Sequence, residues 1–153
     1  MYAYKDNSGD QVLAIGTRQR VYVLYQDALY DVTPLRTTNT GLSNVFATSN
    51  GSSTITVTNT GHGAAVDDFV TISGASSLGG NITATVLNQV HKIVSVPDAN
   101  TFTFTAKDTN QATVTANSSD TGQGLTGISL AYSGFSTDEA ADVLGWGAGN
   151  YGR

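Results

Sequence analysis

Three residues within one short stretch have the side-chain types that catalysis and metal binding use. The stretch is GHGAAVDDFVTISG, residues 61–74, and it contains His62, Asp67 and Asp68. An imidazole beside two carboxylates can transfer protons or bind a metal ion. The same letters also suit a tight turn that leads into a β-strand, because glycines flank the histidine and apolar residues alternate after the aspartates.

The metal interpretation is the weaker of the two. Zinc takes three or four protein ligands, and calcium takes six or more oxygens. Asp67 and Asp68 are consecutive, so in an extended chain their side chains point to opposite faces and cannot share one ion. The other histidine, His91, lies in a different predicted strand, and no H-x-x-x-H or calcium-loop pattern occurs. We therefore predict no metal ligand.

Other catalytic patterns are absent or lack the required context. The chain has no cysteine, which excludes disulfides and thiolate chemistry. No G-x-S-x-G motif occurs, and two G-x-G-x-x-G matches, over 122–127 and 147–152, do not lie between a strand and a helix. We predict no catalytic residue and no cofactor.

The structural interpretation makes specific predictions for the same stretch. Gly61 and Gly63 permit positive φ, so the chain can reverse direction around His62, whose ring would pack over the turn. Asp68 would accept backbone N–H bonds at the start of the next strand, while Asp67 would face solvent. We thus predict a structural turn and strand start formed by Gly61, His62, Gly63 and Asp68.

Composition indicates an all-β protein with many turns. The 153 residues include 22 Thr, 14 Ser and 17 Gly, whereas charged residues make up 12 %. Threonine favours pleated, half-exposed surfaces, and glycine and serine favour turns. The net charge is −5 and no basic stripe occurs, which argues against a nucleic-acid partner. No apolar run reaches membrane-spanning length, so we expect no membrane partner either.

The strand-like runs fall into two groups. Residues 11–33 predict a three-strand meander with short turns. Residues 54–116 predict a small antiparallel barrel or sandwich, because short runs alternate threonine with apolar residues. Its strands are predicted at 54–59, 69–73, 91–96, 101–105 and 112–116. Residues 81–90 form either a sixth strand or a single helical turn, and their periodicity does not separate the two.

Polar segments separate this barrel module from its flanks. We predict linkers over 37–53 and 117–127, and a returning strand over 128–132. Residues 136–145 begin with a capping-box pattern and predict one short helix. The predicted architecture is therefore an antiparallel meander, with 1–36 and 128–153 forming a flanking platform, and an inserted barrel module with at most one short helix.

The glycine-rich tail contains two aromatic residues that suit an interface. Trp146 and Tyr151 are predicted interface anchors, since amphipathic aromatics are frequent hot spots. Exposed aromatics also stack on sugars, so a receptor- or glycan-binding adhesin module stays open as the alternative function.

Several short motifs in the barrel module resemble a known family. His62-Gly63, the strand start at Asp68, Leu87-Asn88 and the turn Asp98-Ala99-Asn100-Thr101-Phe102 resemble the small β-barrel module named after the first catalytic-cysteine half-domain of ubiquitin-activating enzymes. This module occurs inside phage virion proteins, where it carries no catalytic cysteine. The family usually has glycine where this chain has Asp67, a departure that affects the turn.

The flanks resemble segments of tailed-phage tail proteins of the hub, nozzle or packaged-DNA-stabilisation type. The matching segments are 13–36 and 144–152, which bracket the barrel module. The resemblance implies a structural virion protein without enzymatic activity, a homo-oligomeric ring, and contacts with portal-proximal or other tail proteins. It also implies synthesis in the host cytoplasm and a longer parent chain, of which this sequence would be an excerpt or truncated relative.

Overall fold

The fold comes from a computed structural model that describes residues 2–5, 8–17, 20–122 and 125–133. Across these residues the chain has eleven strands and one short helix, which confirms the all-β prediction. Chain contacts divide the protein into two units, Met1–Leu35 and Arg36–Arg153. No helix in the described ranges has the length and apolarity needed to cross a membrane.

The N-terminal unit is a four-stranded antiparallel meander in which the strand order follows the sequence. Its strands are β1 (Tyr2–Lys5), β2 (Gln11–Gly16), β3 (Val21–Tyr25) and β4 (Ala28–Asp31). The predicted three-strand meander corresponds to β2–β4, and β1 adds an edge strand that the sequence did not reveal. Gln26 and Asp27 connect β3 to β4 with φ of 48° and 60°, as a tight hairpin turn between twisted strands requires.

The second unit contains a single curled sheet of seven strands. They are β5 (Thr37–Leu42), β6 (Phe46–Thr48), β7 (Thr54–Thr58), β8 (Phe69–Ser73), β9 (Val90–Asp98), β10 (Thr101–Thr105) and β11 (Ile128–Ser133). The sheet order is β5-β11-β8-β9-β10-β7-β6. Because β5 and β6 lie at opposite edges but are joined by residues 43–45 alone, the sheet has to curl into a half-barrel.

Alternation along the strands determines what the half-barrel encloses. Ile55 and Val57 of β7 and Phe102 and Phe104 of β10 are fully buried, while threonines occupy the positions between them. This is the predicted pattern of one apolar and one threonine-rich face. The same interior receives apolar side chains from the other strands, including Val70, Ile72, Ile93, Leu130 and Tyr132.

Three segments differ from the sequence prediction. The segment 37–53, predicted as a linker, contains β5 and β6, because hydrogen bonds to β11 and β7 order a polar chain. The segment 112–116, predicted as a strand, forms only an isolated bridge between Thr113 and Lys107. The strand predicted at 128–132 exists, but it pairs with β5 and β8 inside the second unit rather than with the N-terminal meander.

The ambiguous segment 81–90 contains the helix α1 (Ala84–Leu87). Thr83 caps this helix, since its hydroxyl accepts the Val86 N–H at 3.4 Å. The helix buries Val86 and Leu87, and β9 begins three residues after it. One turn is enough here because packing, and not helix propensity, stabilises it.

We predict that Gly74→Ala destabilises the fold more than Gly51→Ala. Both glycines have positive φ, near 75° and 78°, where alanine costs about 1 kcal/mol. An added Cβ at Gly74 would lie 2.4 Å from the Gly127 carbonyl oxygen, whereas at Gly51 it would meet nothing within 4 Å. We expect the overpacking at Gly74 to increase the loss of unfolding free energy by about 1–3 kcal/mol, as measured by urea unfolding. Equal losses in the two variants would contradict this close approach.

Candidate functional site

The chain reverses direction at residues 61–64 as the two glycines predict. Gly61 and Gly63 have φ of 63° and 61°. The His62 side chain folds back onto this turn, where its Nδ1 accepts the backbone N–H of Ala64 at 3.0 Å. An accepting Nδ1 carries no proton, which places the proton of the neutral ring on Nε2.

His62 lies deeper than the turn interpretation predicts. It is 2 % exposed, and its ring packs between Phe102, at 5.2 Å edge-to-face, and Tyr132, at 6.2 Å and nearly parallel. Nε2 is buried and has no hydrogen-bond partner among the described residues. The imidazole therefore functions as an aromatic core side chain, and no described group is positioned to exchange a proton with it.

Asp68 is fully buried and accepts hydrogen bonds that stabilise the turn. Its Oδ2 accepts the Ala65 N–H at 2.8 Å and forms an ion pair with the guanidinium of Arg36. The backbone N–H of Arg36 in turn donates to the backbone carbonyl of Tyr132 at 2.8 Å. The predicted backbone bond of Asp68 is thus confirmed. Arg36 was missed, although a buried carboxylate in a chain with seven basic residues implies such a partner.

Asp67 faces solvent, as predicted. Its side chain is half exposed and pairs with Lys92 at 2.6 Å, on the opposite side of the chain from the Asp68 contacts. Its φ is 75°, in the left-handed region that favours glycine. Aspartate adopts this conformation more readily than most residues other than glycine and asparagine, and here it is part of a turn.

The second histidine has its own separate contacts. His91 is 4 % exposed, stacks on Phe104 at 4.0 Å, and donates from Nε2 to the Leu87 carbonyl at 2.9 Å. Burial lowers the pKa of His91, because a charged ring would lose its hydration, and the Leu87 carbonyl opposes this shift. His62 and His91 therefore bind different partners and do not form a pair.

The acidic and histidine side chains do not converge on a common point. Across residues 2–5, 8–17, 20–122 and 125–133, no group of three or more His, Cys, Asp or Glu side chains is arranged to hold a metal ion. His62, Asp67 and Asp68 each contact a different set of partners. Their contacts stabilise a turn and do not form an acid–base pair.

A chain of amide side chains, which the sequence did not reveal, braces the same region. Asn59 donates to the Tyr132 hydroxyl at 2.8 Å and accepts from the Asn39 amide at 3.1 Å. Burial raises the pKa of Tyr132, against the effect of the Asn59 bond. Asn100 accepts the Gly61 N–H through its side chain at 3.1 Å. Buried amides and hydroxyls need such partners, so this network stabilises one arrangement of the strands.

The remaining motif residues also have structural contacts. The Asn88 side chain accepts the Ala75 N–H at 2.9 Å and donates to the Ala75 carbonyl at 2.7 Å, much as a neighbouring strand would. Asp98 closes the turn between β9 and β10 by accepting the Asn100 N–H and the Thr101 hydroxyl, which lower its pKa. The side chains of Asn88 and Asp98 therefore position strands and turns.

An open cavity of about 700 Å³ lies within the N-terminal unit. Leu13 and Leu24 contribute apolar surface to it, while Lys5, Asp10 and Asp27 contribute charges. Among the described residues, its lining contains no serine, cysteine or histidine. The predicted interface anchors Trp146 and Tyr151 lie outside the described residues, as does the predicted helix over 136–145.

Together, the fold and this site define an all-β protein in which the histidine and aspartate side chains of residues 61–74 stabilise a curled sheet. No family model matches the chain, and no curated protein does. Among solved structures, the chain is similar to the phage phi92 endosialidase, with 22 % sequence identity and a TM-score of 0.48. The match covers 86 % of this chain and 20 % of that protein, so the chain spans about a fifth of its length.

We predict that Asp68→Asn lowers the free energy of unfolding by about 1–3 kcal/mol, because it removes the charge of a buried carboxylate that pairs with the partly exposed Arg36. Asp67→Asn is the matched control, since it removes the charge of an exposed pair and asparagine tolerates positive φ. That change should cost less than about 1 kcal/mol. Urea unfolding at neutral pH measures both, and a similar loss in the two variants would refute the bracing role of Asp68.

We predict that acid weakens the fold through His91. Its folded-state pKa is lowered, so the unfolded chain binds the proton more readily. The stabilisation is complete above a pH of about 6.5 and is lost as pH falls below that value, by at most about 1.4 kcal/mol per pH unit for one proton. His91→Gln removes the titration, and its unfolding free energy should fall less between pH 7.5 and 5. Parallel curves for the two proteins would rule out this contribution.

Proposed function

We propose that this chain is a structural component of a phage tail, in the hub, nozzle or adaptor region, where subunit contacts build the conduit for DNA. The role is non-enzymatic and needs no cofactor. The partners are portal-proximal or other tail proteins, copies of the chain arranged in a ring, and the location is the virion. Two features support this proposal. The motifs of the barrel module occur along the chain in the order that the resemblance implies, and their residues make structural contacts in the fold.

One observation carries this proposal. The residues that most resemble a catalytic or metal site are committed to internal contacts: His62 to the aromatic core and Asp68 to Arg36 and Ala65. A hydrolase needs a nucleophile or activated water beside an accessible base. In the described part of the chain the two histidines, His62 and His91, are both buried, so neither is an accessible base. A structural role agrees with this arrangement.

The test is to locate the chain in virus particles. Particles purified from the source of the sequence are analysed by mass spectrometry, and antibodies against the chain are used for immunogold labelling. We expect the chain in the particles, with label between the head and the distal end of the tail. Absence from the particles would overturn the proposal. Label at the tail tip, with glycan binding that Trp146→Ala abolishes, would favour the adhesin alternative instead.

A further inference from the structure

One face of the N-terminal sheet is apolar at every strand position. The register pairs Tyr2 with Ala14 and Tyr4 with Val12, and it continues across β3 to β4. Because facing residues share a side of the sheet, one surface collects the following side chains, which we call the tyrosine face: Tyr2, Tyr4, Val12, Ala14, Val21, Val23, Tyr25, Ala28 and Tyr30.

The outer strands of the tyrosine face are exposed although they are apolar, whereas Val12 at its centre is buried. Tyr2 is 71 %, Tyr4 42 % and Tyr30 51 % exposed, and the rings of Tyr2 and Tyr4 stack with centroids 6.3 Å apart. The opposite face is apolar at its centre, where Leu13, Leu24 and Leu29 lie side by side, but it carries the charged side chains of Lys5 and Asp31 towards its ends. Asp10, in the loop before β2, accepts the hydroxyl of Tyr25 at 2.6 Å. A contiguous apolar surface with no charge at a strand position is typical of an interaction site.

The N-terminal unit also has too little core to be stable by itself. Among its described residues, Val12 is the one buried hydrophobic side chain. Units below about 40 residues usually need disulfides, a metal or association with another surface. The chain has no cysteine, and the described residues hold no metal-binding cluster. Association of the sheet with another apolar surface would supply the core that the unit lacks.

We propose that the tyrosine face packs against the same face of a second copy of this chain, as two sheets in a sandwich. This inference rests on the assembly role proposed above, and it adds a two-fold contact that is distinct from the head-to-tail contacts of a ring. The partly exposed tyrosines and valines together present about 500 Å² of surface per copy. This area follows from their exposed fractions, because a whole aromatic side chain buries about 150–250 Å². A pair would bury about 1,000 Å², the lower bound for a specific interface.

The chemistry of the face favours a second copy over a charged partner. In a two-fold contact, residue i of one copy meets residue j of the other and residue j meets residue i, so the face has to be complementary to itself. No strand position on the tyrosine face is charged, so its apolar side chains can pack on the same face of a second copy without leaving a charge buried and unpaired. Tyrosine and valine also match the composition of interface cores, from which Lys, Glu and Asp are depleted.

The test uses sedimentation equilibrium of the full chain. We expect a reversible dimer with a dissociation constant of about 10–100 μM, which tightens with added salt because each copy carries a net charge of −5. Tyr30→Lys should weaken dimerisation at least tenfold. Leu29→Lys is the matched control, since Leu29 is the adjacent residue, is 59 % exposed and lies on the opposite face. It should leave the dissociation constant within about twofold.

A second pair of variants keeps the test decisive if Tyr30→Lys fails to fold. Tyr4→Lys should weaken dimerisation and Ala3→Lys should not, with folding checked by circular dichroism. A chain that stays monomeric to about 500 μM, or equal effects of the two members of a pair, would overturn the inference. A monomer that is still found in phage tails would refute this contact alone. A dimer that is absent from virus particles would refute the proposed function and retain the contact.

Discussion

The buried carboxylate of Asp68 is the constraint on which the second unit depends. A charge without solvent needs a partner, and here Arg36 and the Ala65 N–H supply it. The backbone N–H of Arg36 also donates to the Tyr132 carbonyl in β11. Arg36, the first residue of the unit, therefore connects the turn before β8 to the strand β11. Segments distant in sequence are thereby brought into one sheet.

The polar residues around this point have the same role. His62 contributes its ring to the core, Asn59 connects two neighbouring side chains, and Asn88 substitutes for a strand beside Ala75. Side chains of these types are common in active sites, but here most of their donors and acceptors bind other groups of the protein, and His62 Nε2 and Asp68 Oδ1 are buried without a hydrogen-bond partner among the described residues. Such networks define one arrangement of strands, because any slip leaves a buried polar atom unpaired.

The two units bury apolar surface in different ways. The half-barrel curls around its own apolar face, and the three-residue connection between β5 and β6 makes that closure unavoidable. The N-terminal meander has four short strands, and among its described residues Val12 is the one hydrophobic side chain that is buried. A sheet of this kind obtains a core by meeting another sheet, which is the physical reason for the contact that we propose.

The sequence by itself determined the elements whose pattern is local. Alternation predicted β7, β8 and β10, paired glycines predicted the turn at His62, and the adjacency of Asp67 and Asp68 predicted that they would point apart. The tertiary structure decided what depends on partners far along the chain. It ordered the polar segment of β5 and β6, moved β11 into the half-barrel, buried His62 and paired Asp68 with Arg36. Hydrogen bonds to distant strands order a segment whatever its own composition, and no local pattern encodes them.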